Sequence, residues 1–151
     1  MNEFENINDI LDFAIATEQS AFEFYSNLAK NARNDDMKNT FEKFAQEEIG
    51  HKAKLLKVKE EGVFSREAIQ VADLKIADYL DNVTATPDMS YQDALILAMK
   101  REKSAFRLYT KLAGKTSNPA LVNLFLALAQ EESKHKLMFE VEYDEFILRE
   151  N

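Results

Sequence analysis

The chain contains an internal repeat, in which residues 11–52 align with residues 95–136 at a constant offset of 84 and without a gap. Of the 42 aligned pairs, 18 are identical, and the identities include Glu, Gln, Tyr and His as well as apolar residues. Helical amphipathicity alone would match apolar types, but it would not match polar residues one for one. The sequence therefore predicts a fold built from two copies of one helical hairpin.

Apolar residues at three- and four-residue spacing predict four helices. The predicted ranges are about 8–31, about 35–61, about 90–114, and from 118 to 146 or beyond. Gly62 is expected to end the second helix, whereas Ser90 and Asn118 are expected to cap the third and the fourth. The two repeats thus cover about 8–61 and 90–146, and residues 62–89 connect them.

The connection over residues 62–89 is far longer than the two to eight residues that usually join helices in bundles. Its own short apolar pattern predicts a further short helix within it. A connection of this length allows the second and third helices to run parallel, as they do in four-helix bundles with one crossover. The sequence therefore predicts an all-α protein with a single domain over residues 1–151.

Charge and composition exclude several classes of function. With 19 basic and 27 acidic residues the net charge is −8, which argues against a nucleic-acid partner and against anionic membranes. The acidic start does not resemble a signal peptide, and no apolar run is long enough for a membrane helix, so we expect a cytoplasmic protein. The absence of cysteine excludes disulfides, iron–sulfur clusters and thiolate metal sites. Acidic residues near the C-terminus are interpreted as an exposed helix end: Glu140, Glu142, Asp144 and Glu145.

Both histidines of the chain follow a glutamate by three residues. The two pairs are Glu48 with His51 and Glu132 with His135. Residues at this spacing lie one helical turn apart on the same face, so both side chains reach toward one point. Carboxylate and imidazole together suit iron, manganese or zinc. The glutamate directly before each pair, Glu47 or Glu131, stands four residues before the histidine and is an alternative ligand.

Two more glutamates, Glu18 and Glu102, are each the only acidic residue on the inward stripe of their helix. Their neighbours at three- and four-residue spacing are apolar: Ala14, Ala21 and Phe22 in the first repeat, and Ala98, Ala105 and Phe106 in the second. Buried carboxylates need a partner, and two divalent cations would cancel four of them. The sequence therefore predicts a site for two metal ions with these ligands: Glu18, Glu48, His51, Glu102, Glu132 and His135.

With these residues the chain resembles the rubrerythrin branch of the ferritin-like superfamily over essentially its whole length. The resemblance rests on Glu18, Glu102 and the two runs Glu47-Glu48-x-x-His51 and Glu131-Glu132-x-x-His135. It implies a ferritin-like bundle whose two iron ions reduce hydrogen peroxide or dioxygen to water in defence against oxidative stress. It also implies that Tyr25 and Tyr109 bond to the ligand carboxylates, and that the chain forms a homodimer.

The chain departs from the typical rubrerythrin at two points. Rubrerythrins usually carry a rubredoxin domain, whereas this sequence ends at Asn151 without a cysteine, so electrons are expected from a separate donor protein or a small reductant. The typical family member also has an extra metal-binding glutamate three residues after the third-helix ligand. Here that position is Ala105, which matches Ala21 in the first repeat, so we expect a more symmetric, ferritin-like centre.

Two other functions use the same motif. The first is a ferroxidase or an iron-binding protein for storage or sequestration, and the second is a bundle whose metals only stabilise the fold. Storage requires a closed shell of many subunits, so the mass of the assembly discriminates it from a dimeric oxidoreductase. Redox turnover would distinguish an oxidoreductase from a bundle whose metals only stabilise the fold.

Overall fold

The computed structural model describes residues 7–62 and 89–150, which form four helices. The helices are α1 (Ile7–Lys30), α2 (Asp35–Glu61), α3 (Tyr91–Gly114) and α4 (Pro119–Glu150). These bounds lie close to the predicted ranges, and the described residues include no strand, so the all-α prediction is confirmed. The short helix predicted within residues 62–89 lies outside the described residues. None of the described helices combines the length and the apolarity that a membrane crossing requires.

The predicted helix ends have clear local causes. The Asn118 side chain accepts a hydrogen bond from the backbone N–H two positions on, at 2.9 Å, and Ser90 accepts one from the N–H three positions on, at 3.1 Å. Gly62 ends α2 in the left-handed conformation, with φ 65°. Asn34, the repeat equivalent of Asn118, caps α2 in the same way. The alignment of Asn34 with Asn118 in the repeat is the sequence signal for this cap.

Side-chain hydrogen bonds between helices show the direction of each helix. Those between α1 and α2 join Asp12 to Lys59 and Gln19 to Lys52. Those between α1 and α3 join Glu18 to Tyr109 and Tyr25 to Glu102. In both pairings the residue numbers rise along one helix as they fall along the other, so α1 is antiparallel to α2 and to α3. Helices α2 and α3 therefore run parallel, which is the topology of a ferritin-like bundle with one crossover.

Apolar side chains fill the bundle in two clusters. One contains Ile10, Leu11, Leu55, Leu112 and Phe125 among others, and the second contains Phe24, Leu28, Phe41, Leu95 and Phe139 among others. Along each helix, the predicted ligands lie between members of the two clusters. The layer of predicted ligands is therefore enclosed by aromatic and aliphatic side chains above and below. Phe106 is an exception among the apolar neighbours of Glu102, because it was expected on the inward stripe but is 39% exposed.

Glu142 corrects the interpretation of the acidic C-terminal stretch as an exposed end. Its carboxylate is buried, and it accepts hydrogen bonds from Arg33 Nε at 2.7 Å, from Arg33 Nη2 at 2.9 Å and from the Tyr91 hydroxyl at 2.7 Å. Glu142 lies seven residues after His135, which places it on the same inward face of α4. Its neighbour Glu145 is exposed, as predicted. The buried carboxylate joins α4 to the α1–α2 turn and to the start of α3.

Replacing Glu142 by alanine is expected to lower the free energy of unfolding by about 3 kcal/mol, because it leaves the Arg33 guanidinium and the Tyr91 hydroxyl without their shared acceptor. Glu145→Ala removes a carboxylate that also contacts Arg33, at 3.1 Å, but is exposed, so it should cost less than about 1 kcal/mol. Urea unfolding at matched metal content measures both values. Equal losses in the two variants would contradict the role assigned to Glu142.

Candidate metal centre

The six residues predicted as ligands lie together in the middle of the bundle. Each helix contributes to the set, and the exposed fractions of the six residues are between 0% and 4%. Helices α1 and α3 each supply one glutamate, Glu18 or Glu102, whereas α2 and α4 each supply a glutamate and a histidine one turn apart. The spacing along each helix determines that these side chains face inward, and the packing of the two hairpins brings them to one place.

The ligand atoms form two overlapping groups. One consists of Glu18, Glu48, His51 and Glu132, and the other consists of Glu48, Glu102, Glu132 and His135. Within each group, one nitrogen or oxygen from every residue lies within 4.8 Å of the others. Glu48 and Glu132 belong to both groups, so their carboxylates can bridge two ions, whereas Glu18 and Glu102 each belong to one. The buried cluster is compatible with a site for two metal ions.

The two repeats interlock at this site. His51 Nδ1 lies 2.9 Å from Glu18 Oε2 and 3.1 Å from Glu132 Oε1. His135 Nδ1 lies 3.0 Å from Glu48 Oε1. Each histidine is thus nearer to the shared glutamate of the other repeat than to the one in its own helix, which lies 4.0 Å away in both cases. Each of the two groups contains residues from both hairpins, so neither hairpin alone could form either group.

Several buried atoms of the cluster make no hydrogen bond within the described part of the chain. They are both carboxylate oxygens of Glu48, Glu102 Oε2, Glu132 Oε1 and His135 Nδ1. Buried polar atoms without partners are costly, and such atoms are rare in folded proteins. These atoms are oxygen and nitrogen donors of the kind that first-row divalent cations take. The donor set therefore fits metal ions, which would supply the missing partners.

Burial raises the pKa of all four carboxyls of the cluster. For Glu18 burial and the nearby charge of Glu48 raise the pKa to about 8, and the pKa values of Glu48, Glu102 and Glu132 are raised in the same direction. Burial lowers the pKa of His135, but the adjacent carboxylates of Glu102 and Glu48 outweigh it and raise the pKa to about 11. Without cations, protons neutralise part of this cluster. Metal ions would therefore displace protons when they bind.

Two buried tyrosines hold the carboxylates that belong to one group only. The Tyr109 hydroxyl donates to Glu18 Oε1 at 3.0 Å, and the Tyr25 hydroxyl donates to Glu102 Oε1. Each hydrogen bond crosses between α1 and α3, so each tyrosine contacts the glutamate of the other repeat. The second oxygen of each carboxylate, Oε2, faces the histidines. Such hydrogen bonds fix the orientation of a ligand.

The alternative ligands Glu47 and Glu131 lie outside both buried groups. They are half-buried and form a separate group with His135. Glu47 Oε2 lies 2.6 Å from His135 Nε2, the ring nitrogen opposite the one that faces the cluster. This contact was not predicted from the sequence, in which Glu47 was an alternative to Glu48 as a direct ligand. The sequence signal for this contact is the second glutamate that stands directly before each Glu-x-x-His motif.

Comparisons with known proteins agree with this architecture. The family model described as Rubrerythrin matches residues 9–143. A solved structure of a hypothetical protein from Pyrococcus furiosus superimposes with a TM-score of 0.71 at 26% sequence identity. The alignment covers 89% of this chain and 86% of that one. A search of curated proteins finds no match.

Proposed function

Since the chain belongs to the rubrerythrin family, we propose that it is a di-iron oxidoreductase that reduces hydrogen peroxide or dioxygen with electrons from a separate donor. The observation that carries this proposal is the overlap of the two ligand groups, which share Glu48 and Glu132. The shared carboxylates would hold two ions next to each other in one buried site. When bound, the iron pair supplies two electrons and Lewis acidity.

The protein's contribution is to hold the ions, to orient their ligands and to exclude bulk water. Glu18 and His51 would bind one ion and Glu102 and His135 the other, while the shared glutamates would bridge the two. Four carboxylates and two imidazoles would supply only oxygen and nitrogen donors to the ions, which are donor types that iron accepts. The apolar clusters on both sides of the site favour a small molecule over a bulky substrate.

Iron is the proposed metal because the donor set consists of carboxylate and imidazole and the family is that of rubrerythrin. Manganese and zinc accept the same donors. Metal analysis of the protein isolated from its native source tests this assignment. Two iron ions per chain are expected, and two zinc or manganese ions per chain would contradict it.

The reduced di-iron protein is expected to be oxidised by peroxide or dioxygen at least about tenfold faster than free ferrous ion, which corresponds to a lowering of the activation free energy by about 1.4 kcal/mol or more. Stopped-flow absorbance measures the rate, and the zinc-loaded protein is the control. Oxidation no faster than that of free ferrous ion would contradict the proposal. Rapid oxidation without turnover in the presence of a reductant would favour the ferroxidase function instead.

We further propose that two copies of the chain form a homodimer. Along α4 an exposed apolar stripe consists of Leu126, Leu137, Val141 and Leu148, whose exposed fractions run from 43% to 77%. At 100° per residue these positions lie within about 60° of one another, so they share one face of the helix, with the exposed polar residues Gln130 and Asp144 between them. Light scattering is expected to give the mass of two subunits. A large multiple of the chain mass would favour iron storage.

A further inference from the structure

The two histidines of the metal centre differ in what holds the far side of each ring. His135 Nε2 contacts Glu47 Oε2 at 2.6 Å, and the ring stacks on Phe44 with centroids 4.1 Å apart and an interplanar angle of 26°. For His51, no hydrogen-bond partner of Nε2 is found within residues 7–62 and 89–150. Nδ1 of each ring faces carboxylates of the cluster in a similar way. The two histidines therefore differ on the side of the ring that points away from the cluster, at Nε2.

The repeat makes this difference informative. If the two halves were equivalent, Glu131 would face His51 as Glu47 faces His135. Instead, Glu131 lies in one group with Glu47 and His135. The position equivalent to Phe44 is Leu128, which has no ring to stack on an imidazole. The ligands and the glutamate before each motif are duplicated, whereas the residue that stacks on the imidazole has diverged and the two glutamates make different contacts.

A carboxylate at the far nitrogen changes how an imidazole binds metal. An ionised carboxylate can only accept a hydrogen bond, so Glu47 keeps a proton of His135 on Nε2, and Nδ1 is the nitrogen that would give up its proton to a cation. The same contact makes the imidazole a more basic ligand and fixes the ring plane. The stacked Phe44 ring restricts rotation of the imidazole further. His51 has neither support among the described residues.

We propose that Glu47 is a positioning residue that makes the two metal positions unequal. The position formed by His135, Glu102 and the bridging glutamates binds metal first and more tightly, and the position formed by His51 and Glu18 fills second. This inference depends on the metal centre put forward above. Loss of a carboxylate that supports a metal-bound histidine lowers metal affinity by about 10–100-fold, which is the expected difference between the positions.

Because the chain has only two histidines, each ring serves as a separate reporter. The experiment adds Zn²⁺, a diamagnetic probe, to the full-length apo protein labelled with ¹⁵N in the imidazoles. Two-bond ¹H–¹⁵N correlation spectra distinguish a protonated ring nitrogen from one that is bound to metal. The first equivalent of Zn²⁺ is expected to shift Nδ1 of His135, and the second is expected to shift Nδ1 of His51.

Two variants make the test specific. Glu47→Gln removes the charge but keeps an acceptor, and it should weaken the His135 position by about 10–100-fold, so that both positions fill together or His51 fills first. Glu131→Gln makes the same charge change at the repeat-related position on α4 and should leave the order of filling unchanged. Circular dichroism and a total of two bound Zn²⁺ per chain check that both variants keep the fold and the site.

Several outcomes would overturn the inference. They are simultaneous filling in the wild type, filling of His51 first, equal effects of the two variants, or a shift of His135 Nε2 in place of Nδ1. The last result would place the ion among Glu47, Glu131 and His135. Failure of the metal centre itself gives a different result, since neither ring would then shift with up to two equivalents of Zn²⁺. Unequal filling without oxidation of the iron form would contradict the oxidoreductase function alone.

Discussion

Replacing Glu48 by glutamine is expected to reduce the metal bound by the protein from two ions per chain to one or none. Glu48 belongs to both ligand groups, so this change removes an anionic ligand from each position at once. The loss of affinity should exceed the roughly 10–100-fold cost of removing a residue that only supports a ligand. Anaerobic reconstitution with ferrous ion followed by metal analysis measures the stoichiometry. Two tightly bound ions in this variant would contradict the bridging role.

In the apo protein, by contrast, Glu48→Gln should increase the stability of the fold. Burial and the charge of Glu102 raise the pKa of Glu48, so an ionised carboxylate at this position destabilises the apo protein. A neutral amide removes that cost, and apo Glu48→Gln should therefore melt at a higher temperature than the apo wild type at pH 8. Glu42→Gln, at an exposed position on the same helix, is the control and should change neither metal content nor melting temperature. A variant that merely misfolds would be less stable in both states.

The apo protein is expected to lose stability as the pH rises from about 4.5 to about 8. Below pH 4.5 the Glu18 carboxyl is protonated in both the folded and the unfolded state. As the pH rises, the unfolded chain releases this proton near pH 4.5, whereas burial keeps it bound in the folded state until about pH 8. The folded state then binds more protons, so the free energy of unfolding falls with rising pH, by about 1.4 kcal/mol for each unit of pKa shift.

The other three carboxyls of the cluster and His135 act in the same direction. The pKa values of Glu48, Glu102 and Glu132 are raised by burial, so each of these carboxyls also contributes stability that is lost as the pH rises. The pKa of His135, about 11, lies above its ordinary value, and the stability from its charged form is lost between about pH 6.5 and 11. Low pH should therefore favour the apo fold.

Bound metal should reverse this dependence, because cations replace the protons and bind more tightly as the carboxyls ionise. The stabilisation by metal grows with the ratio of free metal to its dissociation constant. The difference in melting temperature between zinc-loaded and chelator-treated protein should therefore widen from pH 5 to pH 8. An apo melting temperature that stays constant or rises over this range would contradict the buried, unpaired carboxylates. Glu142→Ala leaves these carboxyls intact and should preserve the pH dependence at a lower overall stability.

Much of this protein could be predicted from short-range patterns. The helix bounds and the inward position of Glu18 and Glu102 follow from residue spacing, because side chains three or four positions apart share one face of a helix. The cap at Asn118 follows from local hydrogen bonding. The duplicated Glu-x-x-His motif predicted which residues would meet, and the structure brings all six predicted ligands together. The sequence did not predict the burial of Glu142, because its partner Arg33 lies in a turn, where residue spacing does not indicate which side chains meet.

Residue identity and spacing within each helix thus determined the four helices, their inward faces and the composition of the ligand cluster. Only the tertiary structure decided that each histidine lies nearer to the shared glutamate of the other repeat, and that Glu47 faces His135 while Glu131 does not face His51. The physical reason is that helical periodicity fixes which residues share a face, whereas the rotation and shift of one helix against another depend on the whole packed core. A duplicated sequence predicts equivalent partners in its two halves, whereas in the packed bundle Glu47 and Glu131 both lie in one group with His135.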